Sequence, residues 1–180
     1  MIPRKKWLRA ALVVVLALIA YGSFRLYLSH ELCVICEKPR ISDAELKKAK
    51  RFLDLGADPN QQFLFSNRIP FEEWMFACRP LSFDLMTSWR LYNDSNHDLL
   101  FIALLDHGAD PNAQDAWQET KPLLSYGFNL EVEKALLKHG GRLGNNMQTA
   151  MGTMQEVEKR GNKEEIELFR AAYEKEKQKP

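Results

Sequence analysis

Hydrophobic and polar positions divide this chain into one unbroken apolar stretch and a body in which apolar residues recur at helical intervals. From Ala10 to Ala20 nothing is polar, and across the 22 residues from Trp7 to Leu28 the only charges are Arg9 and Arg25, near the two ends. A helix that crosses a bilayer needs about 20 mostly apolar residues. Arg9 and Arg25 can extend their aliphatic stems to the two interfaces, and Trp7, Tyr21 and Tyr27 suit the interfacial belts. A soluble helix apolar all round needs cover on every side, which a one-sided stack does not give. Residues 1–28 are therefore expected to be a transmembrane signal-anchor. A cleaved signal peptide is the open alternative, because Ala20-Tyr21-Gly22 places small residues two apart. The apolar run continues past that point through Leu26, Tyr27 and Leu28, which favours retention. Ser29, His30, Glu31 and Leu32 are too polar for a lipoprotein signal ahead of Cys33.

The body repeats itself. Residues 52–60 read FLDLGADPN, residues 104–112 read LLDHGADPN, and residues 136–141 read LLKHGG. Each closes a segment with helical apolar spacing: Leu46, Ala49, Phe52, Leu53; Leu100, Ile102, Leu104, Leu105; Val132, Ala135, Leu136, Leu137. Glycine suits the left-handed residue that ends a helix, and Asp-Pro-Asn then turns the chain. Gly56 and Gly108 are 52 residues apart, Gly108 and Gly140 are 32 apart, and Pro70 and Pro122 each follow the motif asparagine by ten. Proline fits a first helical turn, where its missing N–H is unpaired anyway.

This spacing predicts outer helices over 43–55, 98–107 and 130–139, and fingers over 60–69 and 112–121. Inner helices are expected from Phe71 to Arg79 and from Leu123, with an insertion over 79–96 in which Leu81, Leu85, Trp89 and Tyr92 are spaced for a short helix. Met147–Arg160 and Lys163–Lys177 read as a last helical pair around Gly161-Asn162. Residues 145–180 would then cap the stack with a polar outer face. Residues 29–41 read as a linker.

On these residues the chain resembles the ankyrin-repeat family over about 42–144, because the 32-residue interval matches a repeat of about 33 and Leu-Leu-x-x-Gly-Ala-Asp-Pro-Asn is characteristic of bacterial members. It departs from the family where Glu72 and Leu124 replace the histidine and where Ile69 and Lys121 replace the threonine of the inner-helix motif. The first repeat keeps only its outer helix, and the second carries the insertion. The resemblance implies an all-α, short helical repeat stack with finger loops, here preceded by one transmembrane helix. It also implies protein binding through a concave face and fingers. Bacterial ankyrin proteins of this size and topology include immunity proteins against secreted antibacterial toxins and accessories to periplasmic enzymes.

Charge narrows the partners. Net charge is +1, but residues 1–28 hold five basic residues and no acidic ones, leaving 20 basic against 24 acidic residues in the body. A body without a basic stripe is not a nucleic-acid binder. Aligned by their offset from the asparagine, Phe63 lies opposite Asp115 and Phe65 opposite Trp117. Exposed aromatics with a neighbouring arginine are typical interface anchors, so Trp117, Phe65, Arg68, Phe63 and Trp89 are the candidate partner-binding residues. The alternative for Phe63 and Phe65 is cover by the insertion.

The three cysteines are Cys33, Cys36 and Cys78. Cys33 and Cys36 form a CxxC pair that either closes a local disulfide or packs as two small apolar side chains. A thiol–disulfide redox protein is the alternative function, but no βαβ pattern surrounds the motif. Only His30 lies near as a further ligand, so no metal site is expected. His97, His107 and His139 are scattered, the last two beside helix-ending glycines where imidazole suits the negative helix end. No nucleophile–base set or phosphate loop is visible. The expectation is a non-enzyme without cofactors, held in a bacterial inner membrane by residues 7–28. Its partner is another protein.

Arg4, Lys5, Lys6 and Arg9 precede the apolar run, which places the N-terminus in the cytoplasm and the body in the periplasm. Alkaline phosphatase fused to the C-terminus is therefore expected to be active and a cytoplasmic reporter silent. The reverse pattern would overturn this orientation.

Overall fold

Four helices of the body start where a short polar side chain takes amides that a first turn leaves unpaired. The computed structural model describes residues 4–36, 38–61, 95–112, 124, 128–144 and 146–178. Its helices are α1 (Arg4–Cys36), α2 (Asp43–Asp54), α3 (Ser95–Asp106), α4 (Leu130–Lys138), α5 (Met147–Arg160) and α6 (Lys163–Lys177), with no strand among the described residues. Ser42 caps α2 in a capping box: its hydroxyl accepts from the Glu45 amide, and Glu45 Oε2 accepts from the Ser42 amide at 2.9 Å. Lys38 pairs with the same carboxylate and, with Ser42, holds it down at about 2. Asn146 caps α5 in a second capping box with Thr149, and the side chains of Asn129 and Asn162 accept first-turn amides of α4 and α6.

The outer ends of α2, α3 and α4 are closed alike. Gly56, Gly108 and Gly140 have φ of 94°, 90° and 93°. Beside them the amides of Ala57, Ala109 and Gly141 donate to the carbonyls of Phe52, Leu104 and Leu136 at 2.9, 2.9 and 2.8 Å. These are Schellman closures, and their left-handed residue favours glycine at each site.

The helices pack in the order α1, α2, α3, α4, α6, with α5 against α6. Lys38–Glu45 joins the end of α1 to the start of α2, while Arg25 bonds to Gly56 just past the end of α2, so these two helices are antiparallel. Asn96 bonds to Asp43 and His107 to Asp54, so α3 runs parallel to α2. Asn129–Asp98 and His139–Asp106 set α4 parallel to α3. Leu32, Leu53, Leu100, Leu104, Leu136 and Phe169 are buried along the shared core. The Phe101 and Phe128 rings meet with centroids 5.2 Å apart.

The expected helices 43–55, 130–139, Met147–Arg160 and Lys163–Lys177 are present to within a residue, and α3 begins three residues ahead of the expected 98. Residues 29–41 are not a continuous linker. α1 runs through Cys36, and Leu28, Ser29, Leu32, Cys33, Ile35 and Cys36 are buried. Their spacing makes one apolar stripe on a helix, which packs on α2. The fingers beyond Gln61 and Asn112, the inner-helix stretches 71–79 and 123–127 apart from Leu124, and the insertion apart from its last two residues lie outside the described residues.

The join of α4 to the last pair carries a buried carboxyl. Glu133 is fully buried, and Arg160 Nη1 lies 3.3 Å from its Oε1 and 2.7 Å from Oε1 of Glu165. Glu133 Oε2 has no hydrogen-bond partner. Burial, with the Glu165 charge adding to it, pushes the Glu133 carboxyl up to about 8 from 4.5, and Arg160 offsets this only in part. A carboxyl whose folded pKa exceeds its unfolded one favours the fold when protonated. Its contribution is fully present below about pH 4.5 and is lost as pH rises towards 8. Glu133→Gln keeps the acceptor for Arg160 and removes the buried charge. It is expected to raise the melting temperature clearly at pH 8.5 and little at pH 4.5, measured by circular dichroism. An equal effect at both pH values would show that folding does not raise the Glu133 pKa.

Candidate functional site: a ladder of turns and an apolar helix

The repeated Gly-Ala-Asp-Pro-Asn motif builds more than a turn. Asp58 Oδ1 accepts from the Asn60 amide and Asp110 Oδ1 from the Asn112 amide, both at 2.9 Å, which tightens the chain after each helix. The asparagine side chain then reaches to the following turn. Asn60 Nδ2 donates to the Gly108 carbonyl at 2.7 Å, and Asn60 Oδ1 accepts from the Asp110 amide at 2.7 Å. Asn112 repeats this one step on, donating to the Gly140 carbonyl at 3.1 Å and accepting from the Arg142 amide at 2.8 Å. A side-chain amide carries one donor group and one acceptor, so it satisfies a carbonyl and an N–H together.

A second row runs beside the first. His107 Nε2 lies 3.1 Å from Asp54 Oδ1, and His139 Nε2 lies 2.9 Å from Asp106 Oδ1. The residue before Gly108 and the residue before Gly140 thus each pair with the carboxylate that ends the preceding helix. The hydrogen bond from His139, with Lys138 adding to it, holds the Asp106 carboxyl below its usual range.

The ladder has a first rung without an asparagine. Arg25 Nε donates to the Gly56 carbonyl at 2.7 Å, and Ser29 Oγ accepts from the Asp58 amide at 2.8 Å. Two side chains one helical turn apart on α1 share the work that one asparagine does in later turns. α1 thus gives the turn at Gly56 the two bonds that Asn60 gives the turn at Gly108. Glu31 adds an ion pair to Lys48 at 3.2 Å.

The rest of α1 is bare. From Leu12 to Tyr27 its large apolar side chains are exposed, with Leu26 at 55 % and Tyr27 at 58 %, and burial begins abruptly at Leu28, 2 % exposed. Among the described residues this helix alone is long and apolar enough to cross a membrane. Contiguous apolar surface on this scale calls for a covering medium or partner.

Trp117, Phe65, Arg68, Phe63 and Trp89, nominated from the sequence for partner binding, lie outside the described residues, as does Cys78. Cys33 and Cys36 come together in the last turns of α1, 6 % and 0 % exposed, inside the core shared with α2. A thiol that exchanges with a substrate has to be reached, and these are covered. Among the described residues no cluster of three or more His, Cys, Asp or Glu side chains is placed to hold a metal ion. A groove of about 430 Å³ opens between α4 and α6, lined by Lys134, Leu137, Gly140, Leu168, Ala172 and Lys175 among others. The roles of Arg25, Ser29, Asn60 and Asn112 were not assigned from the sequence. For the asparagines the signal was present, since both copies end in the same residue. For Arg25 and Ser29 it was not, because no repeat of the motif precedes them.

Comparison of the chain with protein-family models, with curated proteins and with solved structures gives no match.

Asn60→Ala removes both bonds of one rung and leaves a carbonyl and an amide to water. It is expected to cost about 1–2 kcal/mol in chemical denaturation of the full chain, with Ser29→Ala costing less because Arg25 remains. An Asn60→Ala protein as stable as the parent would remove the ladder as a source of register.

Proposed function

We propose that this chain is a membrane-anchored repeat protein of the ankyrin type whose stack holds a partner protein. The supporting observation is the ladder itself: one hydrogen-bonding rule recurs at Gly56, Gly108 and Gly140 and joins the successive helices side by side. Such stacks are quasi-one-dimensional, and their elongated surfaces bind other proteins. Exposed apolar side chains along the first two-thirds of α1 support retention in a bilayer. The basic residues ahead of the span support a periplasmic body in a bacterial inner membrane. The partner we propose is a secreted antibacterial toxin, which the chain neutralises, or a periplasmic enzyme, which it assists.

The chain leaves the ladder towards each finger at Gln61 and Asn112. Binding energy in such interfaces concentrates in a few aromatic and arginine side chains, and Trp117 leads the candidates, followed by Phe65 and Arg68. A photoreactive amino acid at position 117 of the full chain, in its native membrane, is expected to give one discrete protein adduct. Trp117→Ala is expected to weaken binding of that protein by about 2 kcal/mol, or about thirtyfold, with the melting temperature unchanged. A folded Trp117→Ala protein with undiminished affinity would remove this finger from the site and move attention to Trp89. A large fall in melting temperature would instead make Trp117 part of the core.

A further inference from the structure

The direction of the helices relative to α1 has a consequence for where the stack sits. α1 is one unbroken helix of 33 residues. At ~1.5 Å per residue it is about 50 Å long, against about 30 Å for the hydrocarbon core of a bilayer. The excess is its last third, and that third is the part buried against α2. Span and cap are thus one rigid rod with no hinge between them. The changeover is sharp, since Tyr27 is exposed and Leu28 is covered.

Where the rod leaves its exposed apolar section, it touches one edge of the stack. Arg25, a residue placed to reach the interface, donates to the Gly56 carbonyl. Ser29, one turn further, accepts from the Asp58 amide. The turn after α2 therefore lies level with the end of the span. Because α2 is antiparallel to α1, its start lies at the far end, beside Lys38. Because α3 and α4 run parallel to α2, the turns at Gly108 and Gly140 share the edge of Gly56.

We propose that this edge, the row of turns at Gly56, Gly108 and Gly140, rests on the headgroup layer of the membrane that α1 crosses, so that the stack stands with its turns down and its helix starts away from the lipid. Zwitterionic phospholipid is the surface it fits. The first two turns carry Asp54, Asp58, Asp106 and Asp110 and the third carries Lys138 and Arg142, so the edge offers an acidic stretch to the headgroup ammonium and a basic end to the phosphate. Leu55, at the same edge, is 47 % exposed and lies next to the turn held by Arg25. The proposal rests on the reading of α1 as a membrane span. Its consequence for binding is that a partner is met at a fixed height and angle, with the face of the stack standing upright from the membrane.

The test uses the full chain in phosphatidylcholine vesicles, with a fluorescent amino acid introduced at one position at a time. Quenching is read from nitroxide carried on the headgroup or within the acyl chains. Asp54 and Lys138 report the edge of turns, and Ala44 and Glu131 report the opposite ends of the same two helices, on the order of 10–15 Å further along. Leu16 reports the span. The expected result is acyl-chain quenching at Leu16, with headgroup quenching several-fold stronger at Asp54 and Lys138 than at Ala44 and Glu131. A flexible Gly-Ser segment inserted between Leu26 and Tyr27 is expected to abolish that contrast while lowering the melting temperature of the stack no more than Arg25→Ala, which loses the same bond to Gly56. Quenching at Leu16 with equal signals at both ends of α2 and α4, or a contrast unaffected by the insertion, overturns the proposal alone. A Leu16 label that acyl-chain nitroxide does not reach overturns the span, and the proposal with it.

Discussion

Every helix that ends leaves carbonyls without intrahelical partners, and a stack of parallel helices gathers those ends along one edge. The structure depends on how that edge is closed. A glycine at positive φ turns the chain back over each helix end, and a single asparagine then joins the turn to its neighbour through both faces of its amide. The bond pair is specific in register, because sliding one helix against the next would part the donor from the carbonyl and the acceptor from the amide together. Apolar packing between α2, α3 and α4 supplies most of the attraction but is tolerant of small displacements. The ladder removes that tolerance.

A ladder has ends, and the two ends are handled differently. At the C-terminal end, α6 packs on α4 with one buried stripe around Phe169 and a charged outer face. At the other end, α1 presents Leu28, Leu32, Ile35 and the two cysteines to α2 and supplies the missing rung through Arg25 and Ser29. The helix that reads as a membrane anchor is thus also the first layer of the stack. The chain from Arg4 to Cys36 is one unbroken helix that joins the exposed apolar stretch to the core of the body.

Charge is used unevenly along this architecture. The His–Asp pairs of the second row are open to solvent, where each contributes little. The buried Glu133 at the junction of α4 with α5 and α6 is different. It shares one arginine with Glu165 and is only partly compensated. Buried, imperfectly paired charge sets geometry at a cost in stability. The junction therefore depends more on pH than the repeats do.

The sequence by itself determined the elements that local rules govern. Helical spacing and the glycine after each apolar run located α2 and α4, and Gly161-Asn162 located the break between α5 and α6, because periodicity, capping and left-handed closure are properties of a few adjacent residues. The apolar run of α1 was equally legible. Tertiary structure alone decided what those elements do for one another. Residues 29–41 read as a linker; only the presence of α2 shows that Leu28, Leu32 and Ile35 form one stripe. Arg25 looked like an interfacial charge, and its bond to Gly56 depends on a residue 31 positions away. Asn60 and Gly108 are 48 apart. The motif announced two identical turns, but their mutual contact exists only once apolar packing has brought the helices side by side.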